Sequence, residues 1–143
     1  MTITKSGSAR YEGFGKTGKG HVSTQSGALS DQPYGFNTRF EGQPGTNPEE
    51  LIAAAHAGCF TMALSFQLAD AGYENGTLET TAAVTLEKQG EGFTITRSAL
   101  KLTGQVPEAE REKLEELARK AKENCPVSKL LNAEITLEME FQN

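Results

Sequence analysis

The sequence of 143 residues predicts one α+β domain built on a long apolar helix, a β-hairpin and a C-terminal strand. Residues 51–64 are nearly all apolar or small, and 14 such residues suit a buried core helix better than a membrane span. Residues 77–88 and 93–103 are rich in β-branched side chains and flank the turn 90–92, as the strands of an antiparallel hairpin do. A chain of this length buries enough surface for one ordinary core, so we expect a single domain over residues 1–143.

The long helix has start and stop signals. Asn47 suits the N-cap position, and Glu49 and Glu50 lie at the positive end of the helix dipole. Glu50 is expected to complete a capping box with Asn47. Because Gly72 can end a helix, the predicted helix covers residues 48–71.

The other segments predict shorter elements. Residues 8–24 predict two short strands around the turn 15–18, and residues 37–41 predict a brief strand inside a loop rich in Gly, Pro, Ser and Asn. A charged amphipathic helix is expected over residues 107–124, and a last strand with alternating apolar residues over 133–141. Strands and helices without any repeat are typical of an α+β domain.

Composition and charge exclude several classes of function. The net charge is −5, with 14 Lys and Arg against 19 Asp and Glu, and no basic cluster offers a surface for nucleic acid. No apolar run is long enough to predict a membrane span. The first ten residues are polar and lack the apolar core of a secretory signal. We therefore expect a soluble protein of the reducing cytoplasm.

The two cysteines are the first candidates for chemistry. Cys59 lies in the middle of the long helix, where it could simply be a small core residue. Cys125 precedes Pro126, which forces it out of the helical region and can open a short helix over residues 126–131. A cysteine beside a helix N-terminus tends to have a lowered thiol pKa, and a second cysteine lets a reactive thiol store its oxidation as a disulfide.

Neighbouring residues leave other readings open. No C-x-x-C motif is present, and the spacing of His21, His56, Cys59 and Cys125 matches no known zinc site, so no metal is expected. His56 lies three residues before Cys59 and could orient or deprotonate its thiol. We favour a satisfied core histidine, because the sequence shows no third group that would orient the ring.

Four stretches of sequence resemble a known family: 32–40, 45–52, 55–60 and 125–128. They read QPYGFNTRF, GTNPEELI, AHAGCF and CPVS, and they are similar to the osmotically inducible protein C branch of the OsmC/Ohr family of organic hydroperoxide reductases. The pattern N-P-E-x-L, with a cysteine ten positions after its first glutamate, is specific when it is joined to C-P-[VI]-S. The similarity covers essentially the whole chain.

The resemblance implies curved antiparallel β-sheets around long central helices, in an intertwined homodimer. Transferred by position, it places the peroxidatic thiol on Cys59, the resolving thiol on Cys125, a site glutamate on Glu49 and a site arginine on Arg39. Cys59 would become a sulfenic acid, Cys125 would convert it to a disulfide, and an external dithiol would restore the enzyme without a metal or flavin. A guanidinium held by a carboxylate would favour the thiolate.

Alternatives remain at this point. The assignment of the site arginine to Arg39 rests on the local match Phe-Asn-Thr-Arg-Phe. Arg10 and Arg97 are the alternative candidates for this role. The two cysteines could exchange roles, because the predicted position of Cys125 at a helix start also favours a thiolate. A small-ligand-binding protein or a structural stress protein of the same fold, both without turnover, are the alternatives from other classes.

Helix geometry adds an expectation about the dimer. If Glu49 and Cys59 lie on one continuous helix, the ten residues between them correspond to about 15 Å along its axis, too far for one compact network. Two copies of the helix packed antiparallel about a two-fold axis would bring Glu49 of one chain toward Cys59 of the other. The sequence therefore predicts a homodimer with shared active sites.

Overall fold

Over residues 1–142, which it describes, the computed structural model contains six β-strands and four α-helices. The strands are β1 Gly7–Glu12, β2 Lys19–Thr24, β3 Gln32–Tyr34, β4 Thr77–Gln89, β5 Gly92–Gln105 and β6 Glu134–Phe141. The helices are α1 Phe36–Phe40, α2 Pro48–Asp70, α3 Arg111–Asn124 and α4 Pro126–Leu130. The chain forms two compact units, Met1–Leu51 and Ile52–Asn143. The prediction of a single domain stays a prediction.

The first unit carries an antiparallel sheet in the order β1-β2-β3. The predicted hairpin of β1 and β2 is confirmed, with a short 3-10 helix at Gly15–Thr17 in its turn. The predicted strand over residues 37–41 is wrong, because the chain forms α1 there. Thr38 Oγ1 accepts a hydrogen bond from the Gly35 N–H at 2.8 Å and donates one to the Gly35 carbonyl at 3.0 Å. This exchange of local hydrogen bonds favours a helical turn over an extended strand.

The second unit carries a mixed sheet in the order β4-β5-β6. Strands β4 and β5 form the predicted antiparallel hairpin, whose two-residue turn begins at Gly90 with a positive φ of 63°. Strand β6 pairs with β5 in parallel, so the expected antiparallel pairing is wrong for this strand. Parallel neighbours need a long crossover, which α3 and α4 supply between them. Helix α3 begins at Arg111, four residues later than predicted.

Helix α2 begins and ends close to its predicted limits. The Asn47 side chain accepts a hydrogen bond from the Glu50 N–H at 2.8 Å, as an N-cap does. The predicted capping box is not completed, because the Glu50 carboxylate accepts a hydrogen bond from Thr46 Oγ1 at 2.8 Å instead. At the other end Gly72 has a φ of 95°, and the Tyr73 N–H donates to the Leu68 carbonyl in a Schellman motif.

Only one face of α2 enters the core of the second unit. Phe60, Leu64 and Leu68 pack there in a buried cluster with apolar residues of β5 and α3. Met62 and Phe66 are 62% and 64% exposed, so the prediction of a buried core helix is correct for one face only. The 23 residues of α2 are long and apolar enough to cross a membrane, a test that core helices of soluble proteins also pass.

Candidate functional site

The fold brings the two cysteines together. Cys59 lies on α2 and is half-buried against the core cluster, whereas Cys125 is fully buried at 0% exposure. Both are free thiols, and they are hydrogen-bonded to each other. The two thiols are therefore neighbours within one chain.

Cys125 occupies the junction between α3 and α4. Its N–H donates to the Ala121 carbonyl at 2.9 Å, and its own carbonyl accepts from the Lys129 N–H at 3.1 Å. Its backbone is extended, with φ −58° and ψ 124°, because the following Pro126 excludes the helical conformation. The predicted helix break and short helix after Cys125 are confirmed.

The surroundings of the two thiols differ in their effect on pKa. Burial and the hydrogen bond with Cys125 raise the pKa of the Cys59 thiol, and the Val127 N–H offsets these effects only in part. Burial also disfavours the Cys125 thiolate, but hydrogen bonds from Cys59, Ser128 and Val127 together lower its pKa. Within one chain, therefore, the hydrogen bonds around the pair favour the Cys125 thiolate over the Cys59 thiolate.

Arg39 and Glu49 form the second pair of candidate residues. Arg39 Nε donates to Glu49 Oε1 at 2.7 Å and Nη2 donates to Oε2 at 3.0 Å, a bidentate ion pair. The Glu49 side chain is 11% exposed and the Arg39 side chain 35%. Helix α1 presents Arg39 and the first turn of α2 presents Glu49. The pair leaves Nη1 of the guanidinium available for a further acceptor.

The alternative arginines have other surroundings. Arg10 pairs with Glu12 at 3.1 Å on strand β1, where both side chains are more than 60% exposed. Arg97 lies opposite Thr85 on strand β5. Of the three arginines, Arg39 is the one that holds Glu49. The Arg39–Glu49 pair belongs to the first unit and the cysteines to the second, so their union in one site is a proposal.

His56 is fully buried and contacts neither thiol through a hydrogen bond, but it lies in the same polar cluster. Its Nδ1 is 2.6 Å from Ser98 Oγ and its Nε2 is 2.8 Å from Ser128 Oγ. Burial lowers the pKa of the imidazole and so favours its neutral form. Neither serine is predicted from the sequence as a site residue. Ser128 belongs to the CPVS motif, whereas Ser98 carries no signal beyond its place on a predicted strand.

No group of three or more His, Cys, Asp and Glu side chains within residues 1–142 is arranged to hold a metal. A cavity of about 320 Å³ adjoins Arg39, with the rings of Tyr11, Tyr34, Phe36 and Phe40 in its walls. A larger cavity, of about 420 Å³, lies at the C-terminal end of α2 and contains neither cysteine. Of these two cavities, the one beside Arg39 adjoins a candidate site residue.

Comparisons with known proteins identify the family of the chain. A family model described as OsmC-like protein matches residues 40–140. The chain is 54% identical over 143 residues to peroxiredoxin OsmC of Escherichia coli (strain K12), with all of both chains covered. It is 32% identical to organic hydroperoxide resistance protein OhrB of Bacillus subtilis (strain 168), over 86% of this chain and 89% of that protein. The crystal structure of B. subtilis OhrB superposes with a TM-score of 0.69 at 31% identity, covering 98% of each chain. The chain belongs to the OsmC-like protein family.

Proposed function

We propose that the protein reduces organic hydroperoxides with its two thiols, Cys59 attacking the peroxide and Cys125 forming the disulfide. The observation that supports this proposal most is that the two thiols are hydrogen-bond neighbours within one chain. The relatives named as a peroxiredoxin and an organic hydroperoxide resistance protein support the same chemistry.

The reaction needs no electron carrier inside the protein. The Cys59 thiolate attacks the distal peroxide oxygen, the O–O bond breaks, and the alkoxide leaves as an alcohol after taking a proton. The resulting sulfenic acid is attacked by the Cys125 thiolate, which releases water and leaves the disulfide. An external dithiol then reduces the disulfide, a supply that fits a cytoplasmic location.

Exposure favours Cys59 as the attacking thiol, because Cys125 is fully buried. The pKa shifts within one chain favour Cys125 as the thiolate, because burial raises the pKa of Cys59 while hydrogen bonds lower the pKa of Cys125. A cation beside Cys59 would resolve this conflict by stabilising its thiolate. Arg39 is suited to that task, since Glu49 orients its guanidinium and leaves Nη1 free to face a sulfur or a peroxide oxygen.

We propose that the cation comes from the second subunit of a homodimer. Glu49 and Cys59 both lie on α2, and ten residues of helix rise by about 15 Å. One Arg39–Glu49 pair would therefore serve Cys59 of the partner chain. A two-fold axis would build two identical sites in this way.

The exposed face of α2 supports dimer formation. Met62 and Phe66 are large apolar side chains on this face. Gly58, four residues before Met62, is also exposed. Gly58 has open space around its Cα, which would let a second helix approach closely. A membrane is the poorer occupant, because the opposite face holds His56 in hydrogen bonds to two serines.

The aromatic cavity beside Arg39 supports an organic rather than an inorganic peroxide as substrate. Its rings can hold the apolar part of the molecule while the guanidinium contacts the peroxide group. A protein of this fold that binds a small apolar ligand without turnover would use the same cavity. Peroxide loss distinguishes the two functions.

The first experiment incubates the protein with tert-butyl hydroperoxide and dithiothreitol and follows peroxide loss. We expect turnover in the wild type and none in Cys59→Ser. Ser30→Ala, at an exposed position outside α2, is the matched control and should retain full activity. A wild type that binds the hydroperoxide without consuming it would contradict the proposed enzyme and favour the ligand-binding protein.

A mixed dimer tests the shared site. One subunit carries Cys59→Ser and the other Glu49→Ala, so that a shared arrangement retains one intact site of the two. We expect about half of the wild-type activity. Activity no higher than about half that of the Glu49→Ala homodimer would show that each site is built from one chain.

A further inference from the structure

The buried ring of His56 connects three elements of the second unit. His56 belongs to α2, Ser98 to β5 and Ser128 to α4, and the two hydroxyl oxygens lie 2.6 Å and 2.8 Å from the ring nitrogens. His56 and Ser98 are both at 0% exposure. Burying an imidazole and two hydroxyls costs free energy that apolar side chains would not cost. We therefore ask what function this cluster serves.

The cluster extends to the thiols through Ser128. Its hydroxyl donates a hydrogen bond to the Cys125 sulfur, and Cys125 is hydrogen-bonded to Cys59. A hydroxyl has one hydrogen, so a Ser128 that donates to sulfur must accept from His56. The Nε2 of the neutral ring then carries the hydrogen, and Nδ1 accepts from the Ser98 hydroxyl.

We propose that Ser128 is a catalytic residue of disulfide formation and that His56, held by Ser98, positions it. This inference rests on the proposed function, because it concerns the second step of that reaction. The Ser128 hydroxyl stabilises the Cys125 thiolate and directs it toward the Cys59 sulfenic acid. The Cys125 sulfur bonds to the Cys59 sulfur, the S–O bond breaks, and the departing hydroxide takes a proton from solvent to form water.

His56 contributes geometry rather than a proton in this arrangement. Its ring is buried and neutral, and its tautomer keeps the Ser128 hydroxyl pointing at the sulfur. Without the ring, the Ser128 hydroxyl could rotate and donate its hydrogen to an acceptor other than the Cys125 sulfur. The Cys125 thiolate would then be formed less often and oriented less well.

Single-turnover kinetics separates the two steps. The protein is mixed with one equivalent of tert-butyl hydroperoxide, dimedone trapping reports the Cys59 sulfenic acid, and acid quenching reports the disulfide. In Ser128→Ala we expect sulfenic acid formation to change by less than about twofold and disulfide formation to slow by about tenfold or more. Ser128→Thr retains a hydroxyl and should recover most of the rate.

His56→Leu should slow the same second step, and adding it to Ser128→Ala should slow that step no further, because the two residues act through one hydroxyl. Ser30→Ala, at an exposed position outside α2, is the control and should leave both steps unchanged. Where His56→Leu does not fold, Ser128→Ala alone decides the question, since Ser128 is only half-buried.

Thiolate absorbance in a Cys59→Ser background supplies a second readout. The groups that act on the Cys125 pKa are Cys59 on α2 and Val127 and Ser128 on α4. Removing the Ser128 hydroxyl should shift the Cys125 titration to higher pH, which a merely structural role would not do.

Equal slowing of both steps, or an unchanged rate of disulfide formation in Ser128→Ala, would overturn the inference. Absence of any Cys59 sulfenic acid in the wild type would instead contradict the proposed function. The two failures are therefore distinguishable.

Discussion

Replacing Arg39 by lysine preserves the charge but removes the planar fork. Arg39 holds Glu49 through two hydrogen bonds of 2.7 Å and 3.0 Å, and an ammonium group keeps only one of them in the same geometry. Losing one charge-assisted hydrogen bond costs about 1.5–3 kcal/mol. Because 35% of the Arg39 side chain is exposed, we expect the lower half of that range. The catalytic efficiency should fall roughly tenfold to fiftyfold.

The assay is kcat/KM for tert-butyl hydroperoxide with saturating dithiothreitol, measured on the purified variant. Arg10→Lys is the matched control, because Arg10 forms an ion pair with Glu12 in which both side chains are largely exposed. We expect that variant to keep wild-type kinetics. An Arg39→Lys enzyme indistinguishable from wild type would refute the role of the bidentate pair and return Arg10 and Arg97 to consideration.

Three other changes have defined outcomes. Cys125→Ser should still form a Cys59 sulfenic acid that dimedone traps, but no internal disulfide; trapping on Cys125 in a Cys59→Ser protein would instead reverse the two roles. Phe36→Ala should raise KM for cumene hydroperoxide about fivefold, from about 1 kcal/mol of lost aromatic contact, and leave hydrogen peroxide kinetics unchanged. An equal effect on both peroxides would remove the cavity from the substrate site. Burial lowers the pKa of His56 below its ordinary 6.5, so the unfolded chain binds more protons and stability falls as pH drops through about 6.5. Urea unfolding should show a loss of at most about 1.4 kcal/mol per pH unit from this residue, absent in His56→Gln, and parallel curves would contradict it.

Local signals predicted most of the secondary structure. Asn47 and Gly72 mark the two ends of α2 because caps act through neighbouring backbone groups, which the sequence displays directly. The strand predicted over residues 37–41 is wrong because local hydrogen bonds outweigh the strand-like composition of this segment. Thr38 exchanges hydrogen bonds with Gly35, and these bonds favour a helical turn. The parallel pairing of β6 depends on a crossover rather than on any local pattern.

Residues that act through three-dimensional neighbours were harder to predict. Cys59 and Cys125 were identified as candidates by their residue type and motif, and the family resemblance gave them roles. In the fold, each of the two thiols acts on the pKa of the other. The connection from His56 to Ser98 and Ser128 joins residues up to 72 positions apart, and no spacing in the sequence indicates it. The two hydrogen bonds of His56 agree with the satisfied core histidine that the sequence favours, and its bond with Ser128 adds a link toward Cys125.

The most direct test of the account is the mass and connectivity of the protein after one equivalent of an organic hydroperoxide. We predict one molecule of alcohol for each disulfide formed, and a linked peptide pair containing Cys59 and Cys125 after digestion without reductant. Dithiothreitol should restore both thiols. Quantitative recovery of the intact hydroperoxide, with both cysteines still alkylatable after denaturation, would contradict the central claim.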